Sequence, residues 1–140
     1  MSNRAKGNRR EQQVADILTA DGYKVYRASP AIRFIAPGRY VSGQNDILGA
    51  FDLIGKSPAG TLWVQVTTAA NAAARRKKAE DAMHGVCAEG DTLQIWAWNH
   101  TRAHGFHYDI HTARVEDHSI AGWEVFLRVS ARGAVVVSER

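Results

Sequence analysis

Phe51-Asp52-Leu53-Ile54-Gly55, followed by Thr61-Leu62-Trp63-Val64-Gln65-Val66-Thr67, is the stretch whose reading decides the fold. Both runs are rich in β-branched, aromatic and other apolar residues, which suit a pleated, half-buried surface. Ser57-Pro58-Ala59-Gly60 between them is turn chemistry. The spacing therefore predicts a strand over 51–55 and an antiparallel hairpin partner over 61–67. In the second strand Leu62, Val64 and Val66 face one way, and Trp63, Gln65 and Thr67 the other. Asp52 shares a face with Ile54. Aspartate is a poor strand former, so its place here needs a reason: an exposed edge, or a role.

Outward from the hairpin, residues 8–21 carry Val14, Ile17 and Leu18 at helical spacing and stop at Asp21-Gly22. Residues 23–27, YKVYR, read as a strand, and the Gly- and Pro-containing stretch from about 29 to 44 reads as a loop. An alanine-rich helix is predicted over 69–84, stopped by Gly85 or Gly90. Strands are expected over 92–98, 105–111 and 123–129, with an edge strand over 134–138. The order αβββαβ, continued by further strands, predicts an α/β fold with a mixed central sheet flanked by helices. The 140 residues suit one domain over 1–140.

The net charge of +4 and a sequence pI near 9.5 suit a polyanionic partner. Arg4, Lys6, Arg9 and Arg10 precede the first acidic residue, and Arg75, Arg76, Lys77 and Lys78 form a second cluster. Each cluster reads either as solvated surface or as phosphate contacts for DNA. The single cysteine, Cys87, excludes an intramolecular disulfide framework and a cysteine-based zinc site. The opening MSNRAKGNRR is too polar for a signal peptide, and no run approaches transmembrane length. The expectation is a soluble cytoplasmic protein, or one of the host cytoplasm if the source is a virus.

Carboxylates stand in unusual places. Glu11 precedes Val14 by three residues and Leu18 by seven, which sets it within the apolar stripe of the first helix. Taken alone it reads more readily as a solvated first-turn acid that suits the helix dipole. Asp46, six residues before Asp52, falls in the loop or at the strand entry. An acid on a helix, an acid on a strand and Gln65-x-Thr67 on the paired strand make a pattern of oxygen ligands on rigid elements. A divalent metal such as Mg²⁺ or Mn²⁺ held there can activate water and neutralise a phosphodiester.

The stretch RAKGNRREQQVADILTADGYKVYRAS, with FDLIG and LWVQVTT after it, resembles the PD-(D/E)xK nuclease superfamily, archaeal-type Holliday-junction resolvases in particular. The resemblance covers roughly residues 4–80. It implies a restriction-endonuclease-like fold and a Mg²⁺-dependent homodimeric endonuclease that hydrolyses phosphodiester bonds in branched or structured DNA. It assigns catalysis to Glu11, Asp52, Gln65 and Thr67, with Glu11, Asp52 and Gln65 as metal ligands and Asp46 as a possible replacement carboxylate. Two positions depart from the pattern: Gln65 replaces the second acid, and Thr67 replaces the lysine. Gln65 offers a carbonyl oxygen without charge, and Thr67 is no cation. Lys24, Lys77 and Lys78 are the candidates for the displaced lysine, and Ser29-Pro30 only approximates the family's small-residue loop.

Two other readings stand beside this one. A nuclease-fold protein that has lost catalysis would bind DNA without cutting it. Alternatively His107, Asp109 and His111, on one face of a strand, with His100 and His104 near the preceding turn, suggest a zinc-type site. Scattered surface histidines explain the same letters.

Overall fold

The computed structural model describes residues 3–28, 31–36, 39–43, 46–131, 133 and 135–138. Side chains are described for residues 6–28, 46–125, 127–131 and 133. The order is α1 (Asn3–Ala20), β1 (Lys24–Arg27), β2 (Ala31–Ala36), β3 (Arg39–Gly43), β4 (Leu53–Ser57), β5 (Gly60–Thr68), a 3-10 turn (Ala69–Asn71), α2 (Ala72–Ala82), β6 (Asp91–Thr101), β7 (Gly105–Glu116), β8 (Ser119–Ser130) and β9 (Val135–Ser138). Seven strands form one mixed, mostly antiparallel sheet in the order β1-β4-β5-β6-β7-β8-β9. The β5–β6 pair is parallel, which requires a crossover, and α2 supplies it.

The helices cover opposite faces. Val14, Ala15, Ile17 and Leu18 of α1 bury against Leu53, Leu62, Val64, Val66, Trp96, Tyr108 and Ile110. Ala79 of α2 and Met83 just after its end bury against Phe51, Leu93 and Ile95, with Trp63 packed alongside. Alternation along β5 thus sends Leu62, Val64 and Val66 to α1 and Trp63 to α2, as its letters predict. Each fully buried aliphatic or aromatic side chain contributes about 1.5–3 kcal/mol.

α1 ends in a Schellman motif: Tyr23 N donates to Leu18 O and Gly22 N to Thr19 O, both at 3.1 Å. Gly22 sits at φ 100°, a conformation that favours glycine. Gly60 is fixed by a neighbour: a Cβ there would meet Gly90 O at 2.1 Å. That contact clamps the start of β5 against the turn leading into β6.

Several boundaries differ from the expected ones. α1 begins at Asn3, so the basic Gly7-containing segment is helical. Residues expected to form a loop include the two strands β2 and β3, which make a separate hairpin sheet. Asp52 lies one residue before β4 instead of inside it. The alanine-rich segment starts as a 3-10 turn and stops at Ala82. Among the described residues, no helix is long and apolar enough to cross a membrane.

Candidate active site

β4 begins at Leu53, which pairs with Val64, so beyond that point β5 has no regular ladder partner on its β4 side. Asp52 fills the gap. Its N–H donates to Val64 O at 2.8 Å, and its Oδ2 accepts the Val66 N–H at 2.8 Å. A carboxylate replaces a main-chain carbonyl where the strands diverge. Asp52 is only 7% exposed.

Charges reach Asp52 from both layers. Burial raises its pKa to about 7; the Val66 hydrogen bond opposes this, Glu11 and Asp46 push it further up, and Arg75 pulls it down. Glu11, half-buried on α1, also has a raised pKa, first from burial, against the pull of Arg27 and with a push from Asp46. Arg27 closes β1 and lies 3.5 Å from Glu11 Oε1. The same guanidinium donates to Gln12 Oε1 at 3.0 Å and to Asn8 Oδ1 at 2.9 Å. On the other side, Lys78 of α2 lies 3.7 Å from Asp46. Glu11, Asp46 and Asp52 therefore share one end of the sheet.

Gln65 and Thr67 are both buried on β5. The Gln65 amide nitrogen donates to Val66 O at 3.2 Å, whereas its Oε1 is buried without a hydrogen-bond partner. An orphaned buried carbonyl is costly, commonly about 1–3 kcal/mol. Chemically it is an uncharged oxygen of the kind a hard divalent cation accepts. Among the described residues, no three His, Cys, Asp or Glu side chains converge closely enough to hold a metal by themselves.

The basic clusters divide by what they touch. Arg75 acts on Asp52, and Lys78 pairs with Asp46. Arg76 donates to His111 Nδ1 at 2.8 Å. Lys77 points to solvent beside Asp81 at 3.6 Å. On α1, Lys6 and Arg9 are exposed and Arg10 lies over the Trp98 ring at 5.1 Å. The Arg4 side chain, and Ser29 and Pro30, lie outside the described residues. Of the candidates for the displaced lysine, Lys78 lies beside an acid of this group, Lys77 turns outward, and Lys24 pairs with Lys56 toward the far end of β4.

No protein family, curated protein or solved structure matches the chain.

The residues of the histidine cluster are partly engaged within the protein, although His107 Nε2, 3.3 Å from Asp109 Oδ1, is buried without a hydrogen-bond partner among the described residues. His107 is fully buried, with Nδ1 bonded to Gly105 O at 2.9 Å. Asp109 accepts from Arg128 Nε at 2.8 Å and from Asn99 Nδ2 at 3.1 Å. His111 has a lowered pKa from burial and from Arg76. Its Nδ1 accepts from Arg76, so the ring is neutral and that nitrogen is engaged.

Sequence reasoning passed over Arg27, whose only signal is its place at the end of the strand that approaches Asp52. It also passed over Trp98 and Phe106, whose signal is the alternation of aromatic rings along the two strands of one hairpin.

Proposed function

We propose that the chain has a restriction-endonuclease-like fold and is a metal-dependent endodeoxyribonuclease acting on branched or structured DNA, akin to the Holliday-junction resolvases it resembles. The observation that carries this reading is Asp52: a buried carboxylate at the divergence of β4 and β5, kept among other acids and bonded to the main chain on either side of Gln65, whose Oε1 is buried without a partner among the described residues. Stability alone gives no reason to gather such groups, and perturbed carboxylates in proximity are a signature of functional sites.

Asp52, Glu11, Gln65 and Asp46 are the residues that would hold Mg²⁺ or Mn²⁺. Such an ion supplies an acidified water and neutralises charge on the scissile phosphate. Asp52 contributes charge at a fixed place, because Val66 holds one of its oxygens. Arg27 orients Glu11. Arg75 takes up the cationic role that Thr67 cannot fill, since it already acts on Asp52. Lys6, Arg9 and Arg10 on one side of the sheet and Arg76, Lys77 and Lys78 on the other are suited to backbone phosphates.

The test is cleavage of a four-way junction, a flap, a nicked duplex and a plain duplex with Mg²⁺ or Mn²⁺. Cleavage that Asp52→Asn abolishes is the expected result. The neutral Thr67 favours a second reading, a DNA-binding protein impaired in catalysis. Salt-sensitive junction binding with no cleavage under either metal would select it. Sedimentation of the free protein tests the homodimer that the resemblance implies.

A further inference from the structure

A second feature lies at the same end of the sheet, on the face covered by α1. Thr68 at the end of β5 pairs with Trp98 on β6. Trp98 pairs with Tyr108 on β7, and His100 with Phe106, so the four rings share one face of the β6–β7 hairpin. Trp98 and Phe106 stack at 5.4 Å with an interplanar angle of 16°. Tyr108 meets Trp98 edge-on at 4.9 Å, and His100 lies 4.5 Å from Phe106. Arg10 completes the set over Trp98. The buried Tyr108 hydroxyl bonds Gln13, which fixes α1 against the cluster.

Tyr108 is buried and Trp98 half-buried, whereas His100 is exposed and Phe106 is 59% exposed. A lone exposed phenylalanine is ordinary. This one extends a preformed ring stack, and the cluster's members carry positive charge or none. Exposed Lys6 and Arg9 stand on the same helix as Arg10. Stacked rings beside cations match the chemistry of an unpaired nucleobase and its phosphate.

Position adds to this. β6 is two strands from β4, and β7 three. Asp52 is level with Gln65, which pairs with Ile95, three residues before Trp98 and five before His100. At about 4.8 Å per strand and about 3.3 Å per residue the platform lies roughly 14–22 Å from Asp52. At about 3.4 Å per stacked nucleotide, that is roughly four to six nucleotides.

We propose that Phe106, Trp98 and His100, flanked by Arg10, form a stacking platform for an unpaired base of DNA beside the carboxylate end of the sheet. The substrate class is then DNA with an unpaired or splayed strand, and not uniform duplex. The inference rests on the nucleic-acid part of the reading above and not on its chemistry.

Binding of labelled oligothymidylate, measured by fluorescence anisotropy in EDTA, tests it without any cleavage. Phe106→Ala, a surface change, is expected to weaken binding about tenfold, within the range for one base on one ring. Phe106→Trp is expected to restore it. A fully abasic strand of the same length should bind the wild type and Phe106→Ala alike. Unchanged affinity of Phe106→Ala for oligothymidylate, or an equal loss on the abasic strand, would overturn the proposal. So would absence of oligonucleotide binding with Phe106→Ala converting a dimer to a monomer, which would assign the patch to a second copy of the chain. Asp52→Asn separates the two ideas. If it binds oligothymidylate like the wild type, and the wild type itself cuts none of the DNAs under either metal, the platform stands and the nuclease reading falls. Cleavage with no response to Phe106→Ala gives the reverse.

Discussion

Asp52 and Asp109 are both shielded carboxylates of the same sheet, and they live in opposite circumstances. Asp109 on β7 accepts from Arg128 and Asn99, with His107 Nε2 3.3 Å away. Asp52 receives one main-chain N–H and feels Glu11 and Asp46 beside it. The first arrangement satisfies a charge that holds β6, β7 and β8 together. The second leaves a charge under-compensated at a point where two strands part. A buried acid that stabilises its surroundings needs no ligand to explain it. A buried acid that strains them is where a ligand or a reaction is to be sought.

The comparison can be broken by deletion. Asp109→Ala removes the carboxylate shared by Arg128 and Asn99, and is expected to cost about 3 kcal/mol in urea denaturation. Asp52→Asn has the opposite sign. Asparagine can still accept the Val66 N–H, while the strained charge is gone. Stability at pH 8 should rise by roughly 1–4 kcal/mol, given a carboxyl pKa moved from 3.8 to about 7. A loss at both sites would erase the distinction.

The same shift fixes a pH dependence. A folded pKa above the unfolded one means that the native state holds the proton more tightly. Wild-type stability relative to Asp52→Asn is therefore greatest below about pH 4, declines as pH rises to about 7, and levels off above it. Mg²⁺ at pH 8 should raise the wild-type melting temperature and leave Asp52→Asn unmoved. A stability gap that stays constant from pH 4 to 8 would show that Asp52 carries no such strain.

Gln65→Glu sharpens the picture by adding a third kind of burden. It is expected to cost about 1–3 kcal/mol without metal, because a charge enters a buried position. It should tighten Mg²⁺ binding about tenfold in calorimetry, since ligand charge count governs affinity. The smallest effect is expected from Arg27→Ala: about 1 kcal/mol or less in stability, because both partners of its ion pair with Glu11 are partly solvated. Its cleavage rate should fall more, roughly tenfold, if Arg27 positions Glu11.

Much of the fold was legible where periodicity was strong. Val14, Ile17 and Leu18 announce α1, and the alternation of Leu62, Val64 and Val66 announces β5. The β2–β3 hairpin was hidden because glycines and prolines read as loop, although the runs between them are strands. The start of α1 was hidden by Gly7 and a run of charges, which a single sequence presents as a tail. At the candidate site, Asp52 and Glu11 were visible as acids out of place. Arg27 gained meaning only through tertiary approach, since a basic residue at a strand end has no local oddity; Arg75 and Lys78 stood out as part of a basic cluster, but which acids they approach depended on the fold. The letters could name Gln65, but not the solitude of its Oε1, which depends on what fails to come near it.

The parallel union of β5 with β6 also bears on the order of assembly. Thr61–Thr68 of β5 meets Asp91–Trp98 of β6 across an intervening helix, whereas β6, β7 and β8 follow one another through short turns. Chain closure is slower for the distant pair. The meander is expected to form early and the seam joining it to β4 and β5 late, so that truncation at Ile110 slows refolding while truncation at Val64 chiefly speeds unfolding. The acids that strain the native state would then come together only after most of the sheet exists to hold them.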